Sequence, residues 1–216
     1  MTGLTVSNVA PTADAGDDQT VDEGDTVSFS GSFTDPGAGD THTIDWGFGD
    51  GATATGTLTP TYAYFEEGVY TVTLTVEDDD GGVGSDTLQI TVKKIEATII
   101  IKPETFNLND KGKFTAFITL PDGYSVGNIE VSTVICEGAP AVKGIVDTDE
   151  DRYLAKFERE DLRADLPLGD EVSMTVTGKV LYSGGYADFE GVDLISVIDE
   201  GKGNDGNDDG NGKGMK

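Results

Sequence analysis

Carboxylates are the side chains in this sequence with the numbers and spacing to do chemistry. There are 41 Asp and Glu against 14 Lys and Arg, with a single histidine, His42, and a single cysteine, Cys136. One imidazole and one thiol leave almost no material for histidine-based metal sites or for Ser–His and Cys–His catalysis. No Gly-x-Ser-x-Gly elbow or phosphate loop is present. The acids, in contrast, are grouped. "VEDDDGG" (76–82) carries Asp78, Asp79 and Asp80 in a row, "DPGAGDT" (35–41) carries Asp35 and Asp40, and "DTDED" (147–151) carries Asp147, Asp149 and Asp151. Like charges packed together repel, so each group is either a solvated acidic turn or a place for a cation. Calcium takes six to eight hard oxygens at about 2.3–2.6 Å in forgiving geometry, and Asp-rich loops supply such oxygens.

The elements that must position these acids read as strands. "DTVSFSG" (25–31), "HTIDWGF" (42–48), "VYTVTLTV" (69–76) and "DTLQITV" (86–92) alternate apolar and polar residues, and Gly/Asp clusters separate them. Short strands at this spacing predict a β-sandwich over residues 8–93. Trp46, the one tryptophan, is expected to fill the space between two sheets. Gly49, Asp50 and Gly51 are expected to form a self-capping turn, and Tyr70 a tyrosine corner. After a short linker at 93–96, "ATIIIKPETFNL", "GKFTAFITLP", "IEVSTVIC", "RYLAKFERE", "EVSMTVTGKV" and "ADFEGVDLISVI" predict a second β domain over 94–200. "REDLRADLPLGD" (159–170) is the one stretch with helical character. Cys136 lies in an apolar β-branched run, as a small buried thiol does. Residues 1–7 read as a strand-like extension, and the Gly/Asn/Asp tail at 201–216 has too little to bury to fold. The expected fold class is therefore all-β, two tandem β-sandwich domains with a disordered tail.

The first block resembles the PKD (polycystic kidney disease) domain, an immunoglobulin-like sandwich of extracellular proteins. The resemblance rests on "PTADAGDDQTVDEGDTVSFSGS" (11–32), "DWGFGDGATATG" (45–56), "YAYFEEGVYTVTLTVEDDDGG" (62–82) and the closing "DTLQITV". The family hallmark Trp-Asp-Phe-Gly-Asp-Gly is here Trp46-Gly47-Phe48-Gly49-Asp50-Gly51, so Gly47 stands where relatives carry an aspartate. The second block is similar to a C-terminal all-β domain of bacterial and archaeal surface proteins. It shares "IIIKPETFNL" (99–108), "GNIEVSTVICEG" (127–138) and "VTGKVLYSGGYADFEGVDLISVI" (176–198) with that pattern.

In an immunoglobulin-like sandwich the B–C and F–G loops emerge beside the entry to the first strand. That topology gathers Asp35, Asp40, Asp78, Asp79 and Asp80 at one end with Asn8, and no Lys or Arg lies in those segments. The PKD resemblance implies calcium at this end; an acidic rim without an ion is the alternative. A weaker candidate is Asp147, Asp149 and Asp151, spaced like the first ligands of an EF-hand loop, with Glu158 at the twelfth position. Arg152 occupies the sixth, where that loop needs glycine.

A net charge of −27 repels nucleic acid and anionic lipid. No run of about 18 apolar residues exists to insert in a membrane. The expected function is a non-catalytic extracellular or cell-surface module, calcium-stabilised, serving adhesion, spacing or interaction with proteins or polysaccharide. The alternative is a structural subunit of a surface layer, sheath or filament that assembles through strand edges or strand donation. The expected partners are other extracellular domains, further copies of the chain, or polysaccharide. "LTVSNVAPTADAG" reads as the joint between tandem repeats, so the chain is expected to be a piece of a longer array.

Overall fold

In "GVYTVTLTVED" every second residue from Val72 to Asp78 is buried, so this segment is a strand with one face against a core. The computed structural model describes residues 7–37, 39–162, 166–182 and 185–199. The opening residues 1–6 and the tail at 201–216 lie outside them. The strands before residue 97 are β1 (Thr12–Asp14), β2 (Gln19–Asp22), β3 (Thr26–Ser28), β4 (Ser32–Thr34), β5 (His42–Gly47), β6 (Thr53–Thr55), β7 (Thr61–Ala63), β8 (Gly68–Asp78), β9 (Val83–Lys93) and β10 (Ile95–Glu96). Five form a sheet in the order β2–β9–β8–β5–β6, and β1–β4 and β3–β7 form two further antiparallel pairs. β2 runs parallel to β9 and the remaining ladders of this sheet are antiparallel.

The core of this sandwich forms around Trp46, which is 1% exposed and donates its Nε1 proton to the Thr57 carbonyl at 3.0 Å. Phe29 lies 5.3 Å from the Trp46 ring and 5.4 Å from that of Phe48, and Phe48 stacks on Tyr62 at 4.3 Å. Val72, Leu74, Val76, Leu88, Ile90 and Val92 complete it from β8 and β9. The Tyr70 hydroxyl donates to the Glu66 carbonyl at 2.9 Å, the tyrosine corner expected from its place in the strand. Asp50 accepts the Ala52 N–H at 3.0 Å within its own turn and the Tyr62 hydroxyl at 2.7 Å. That hydrogen bond, with burial, pushes the Tyr62 phenol up to about 12.

The later strands are β11 (Thr98–Lys102), β12 (Thr105–Asn107), β13 (Lys113–Thr119), β14 (Ile135–Cys136), β15 (Ala139–Pro140), β16 (Lys143–Asp147), β17 (Arg152–Glu158), β18 (Gly169–Tyr182) and β19 (Gly185–Ile198). One sheet has the order β11–β13–β17–β16. The other has β10–β19–β18–β14–β15, with β12 also on β19. Phe114 stacks on Phe157 at 4.9 Å and meets Phe106 edge-on at 5.0 Å, and all three are buried. Cys136 is free and buried, and burial pushes its thiol up to about 12. Two local expectations need correcting. "IEVSTVIC" is a strand only at its end, because Val131–Thr133 is a 3-10 turn. Its buried residues, Ile129, Val134 and Cys136, do not alternate as a strand requires. Helical turns are also not confined to 159–170: Val126–Asn128 is a 3-10 turn, as is Arg159–Asp161.

The chain divides into two compact units, Met1–Ala97 with Leu120–Glu130 and Thr177–Glu190, and Thr98–Thr119 with Val131–Val176 and Gly191–Lys216. Of residues 93–96, expected to be a linker, Lys93, Ile95 and Glu96 are built into sheets. Lys93 ends β9, and β10 pairs in parallel with β19 through Ile95↔Phe189 and Glu96↔Glu190, leaving Ile95 fully buried. Within the first unit Tyr124 donates to Asp25 at 3.1 Å, and its ring lies 4.5 Å from that of Tyr182. Glu23, also fully buried, accepts the Asp188 N–H at 2.6 Å through Oε2, while Oε1 has no hydrogen-bond partner.

Burial pushes the Glu23 carboxyl above its ordinary value of 4.5, against the lowering effects of the Asp188 and Glu67 backbone N–H groups. A carboxyl raised on folding gives its full stability below 4.5 and loses it as pH rises through the folded value. Glu23→Gln is therefore expected to be the more stable protein near pH 7, by about 1 kcal/mol. The gap should close as pH falls towards 4.5, and urea unfolding of both proteins across that range measures it.

Candidate metal centre

The strand phase decides which aspartate of the triple run faces inward. Val72, Leu74, Val76 and Asp78 share the core face of β8, so Asp78 is 4% exposed while Asp79 and Asp80 are exposed. His42 and Asp78 face each other across the β5–β8 ladder, which brings the loop after β4 beside the turn after β8. Asp35, Asp40 and Asp78 each place one carboxylate oxygen within 4.8 Å of the others, the one such trio among the described residues. Two oxygens bound to one calcium ion lie at most about 5 Å apart, twice the metal–oxygen distance. The trio therefore has the spacing to share a single ion.

The three carboxylates are held in different ways. Asp78 is the best supplied. Its Oδ1 accepts the N–H of Gly82 at 2.7 Å and of Asp80 at 3.0 Å, and the Asn8 amide lies 3.1 Å from both its oxygens. Burial works to raise this carboxyl, but the donors from Gly82, Asn8 and Asp80 outweigh it and hold Asp78 below 3.8. Gly82 has to be glycine: a Cβ there would lie 2.4 Å from Asp78 Oδ2 and 2.9 Å from the Ala10 Cα. Asp35 accepts the Gly37 N–H at 2.8 Å and lies 2.7 Å from His42 Nε2, and these two contacts lower its carboxyl. Asp40 is pushed above 3.8, first by burial and then by the charges of Asp35, Asp79, Asp80 and Asp78.

The remaining expected ligands fall around the trio. Asn8 turns its Nδ2 donor to Asp78, so it supports that carboxylate in its charged form and does not offer a ligand oxygen. Asp79 accepts the Thr41 N–H at 2.9 Å. Asp80 lines a surface hollow of about 390 Å³ with Ser7, Asn8, Val9, Pro36, Gly37 and Asp40. His42 belongs to this end as well, with its ring 4.6 Å from Phe33. The reading of the sequence missed its role, although its signal is the alternation of β5, which puts His42, Ile44 and Trp46 on one face.

Asp147, Asp149 and Asp151 are placed differently. They belong to the hairpin joining β16 to β17, where Asp147 faces Arg152 and accepts its Nε at 3.1 Å, and Arg152 reaches Glu150 at 3.1 Å. The residue in the sixth position thus pairs with two of the turn's acids, and Glu158 pairs with Lys113 at the far end of β17. Their oxygens do not converge as those of Asp35, Asp40 and Asp78 do.

Comparison with known proteins places the sandwich. The model of the family described as PKD domain matches residues 8–92. Collagenase ColA of Bacillus cereus is 38% identical over 78 residues, 36% of this chain and 7% of that protein. The microbial collagenase of Vibrio alginolyticus is 36% identical over 91 residues, 42% of this chain and 11% of that protein. The chain thus spans about a tenth or less of the length of the collagenases it matches. The crystal structure of the PKD1 domain of Vibrio anguillarum Epp is 30% identical, covering 40% of this chain and 98% of that one, with a TM-score of 0.34.

The opposite pKa directions give opposite expectations for two neighbouring aspartates in chelator. A lowered carboxyl contributes stability above 3.8 that is lost as pH falls through its folded value, and a raised one costs stability as pH rises through its own. At pH 7 Asp78→Asn should lower the denaturation midpoint and Asp40→Asn should raise it. The Asp40 difference should close as pH falls towards 3.8, whereas the Asp78 difference should close only as pH falls below 3.8, as read by urea unfolding.

Proposed function

Residues 8–92 of the chain belong to the PKD domain family, and on that premise we propose that the chain is a non-catalytic, extracellular accessory segment whose first sandwich binds one calcium ion between Asp35, Asp40 and Asp78. The observation that carries the reading is the convergence of those three carboxylates within 4.8 Å, with Asp40 raised by its acidic neighbours. A divalent cation placed there offsets the repulsion and joins the loop after β4 to the turn after β8. It thereby stiffens the end of the sandwich at which Asn8 and Ala10 enter. Such an end suits a joint in a string of modules. The enzymatic names of the relatives are not carried over, since the match spans 7% and 11% of those proteins. The partners we assign are other protein domains or a polysaccharide free of anionic groups, because the net charge of −27 opposes polyanions.

The test uses the separate behaviour of Asp40. With free calcium at about 100 times its dissociation constant, wild type should gain about 2.7 kcal/mol of unfolding free energy. Asp40→Asn, folded and at least as stable in chelator, should gain almost nothing. Calorimetric titration should give one calcium per chain, with magnesium far weaker because it demands stricter octahedral geometry. Equal gains for wild type and variant, or none for either, would overturn the proposal.

A further inference from the structure

The sheet β11–β13–β17–β16 has two edges, and they are treated differently. On β11 the Ile101 N–H is taken by the Asp193 carboxylate at 2.7 Å, so a side chain covers that edge. The edge strand β15 is two residues long and includes Pro140, and β6 is three residues, Thr-Ala-Thr. β16 is the longest of these open edges. Its inner side pairs with β17 from Lys143↔Lys156 to Asp147↔Arg152, and the sheet has no strand on its outer side among the described residues. It exposes aliphatic side chains on both faces, Ile145 at 37% and Val146 at 42%, with Val142 just before it at 48%. A bare, β-branched edge without proline is a template for another strand.

The sequence of β16 selects that strand. Read antiparallel against itself about Ile145, "KGIVD" places Lys143 opposite Asp147 of a second copy, Gly144 opposite Val146, and Ile145 opposite Ile145. Both end pairs carry opposite charges and the centre is an aliphatic contact, the pairs that stabilise an antiparallel ladder. Gly144 brings only backbone to this pairing, because Tyr153 already fills the space over it: a Cβ there would meet the Tyr153 Oη at 1.7 Å. We propose that two copies of this chain associate through antiparallel pairing of β16 with β16, centred on Ile145, joining their four-stranded sheets into one of eight strands. The contact is isologous, so it closes as a dimer and does not propagate as a filament. Five residues a side is far below the roughly 20–30 of a standard interface, so the dimer is weak and reversible. Each copy carries −27, so added salt strengthens the dimer by screening the repulsion between them. The pairing does not depend on calcium at the other sandwich.

The test is a charge-swap mixture followed by sedimentation equilibrium of the full chain in about 0.15 M salt, where facing charges still interact. Lys143→Glu sets a carboxylate against Asp147 at both ends of the pairing, and Asp147→Lys sets an ammonium against Lys143 at both ends. Each variant alone should associate about tenfold more weakly than wild type. An equimolar mixture should recover a heterodimer, since both end pairs then lack a like-charge clash of the kind each variant makes with itself. Circular dichroism confirms that each variant is folded. Independently, Ile145→Cys should form a disulfide-linked dimer on mild oxidation, because facing Cα atoms lie about 4.5–5.5 Å apart, within disulfide reach. The buried Cys136 gives no background, and Ile100→Cys on the covered edge serves as the control. A mixture no more associated than its components, or cross-linking no faster at 145 than at 100, would overturn the proposal.

Discussion

A carboxylate taken out of water must be given N–H donors, a proton or a cation. In a chain with 41 acids and 14 Lys and Arg, cationic side chains are too few to serve them all. Backbone amides do much of this work. Asp86 accepts the Ala15 N–H, Asp18 that of Gln89, Asp193 that of Ile101, and Asp78 those of Asp80 and Gly82. The exchange serves both sides, since strand ends and sheet edges carry N–H groups that also need partners. Acidity is thus part of how the sheets are finished. Glu23 and Asp40 are two places where this supply falls short, and both carboxyls are raised.

The two shortfalls differ in setting. Glu23 sits where β2 turns into the loop beside Asp188, and the fold bears a buried oxygen without a donor. Asp40 sits in a surface hollow facing four other aspartates, where an ion can enter. On the proposed reading that ion is calcium, and it makes one end of the sandwich rigid. The open edge of β16 belongs to the other compact unit.

Much of the sandwich was legible because its strands obey period two. The alternation in "VYTVTLTV" and "DTLQITV" located β8 and β9, and Trp46, Tyr70 and the Asp50 turn took the places their chemistry required. The same alternation, carried two residues further, would have singled out Asp78 from Asp79 and Asp80. Less was legible where side chains act across loops. The Asp35–His42 contact joins residues on either side of a loop, and the path of that loop, which local pattern does not encode, brings the ring to the carboxylate. "IEVSTVIC" misled because β-branched residues favour strands locally while Ile129 and Val134 are buried at a spacing only a turn provides. "DTDED" carries the acid spacing of a calcium loop, but Arg152 turns it into a paired hairpin.

Whether the acidic hollow around Asp40 takes a cation is read most directly from the titration of Asp40 itself. Carbon-detected NMR of the Asp40 carboxyl, followed against pH in chelator and again with calcium, reads it at a single atom. A midpoint above 3.8 in chelator should drop below 3.8 when calcium is added, with a smaller change in magnesium. A midpoint at the ordinary value in chelator that calcium does not move would contradict the calcium site.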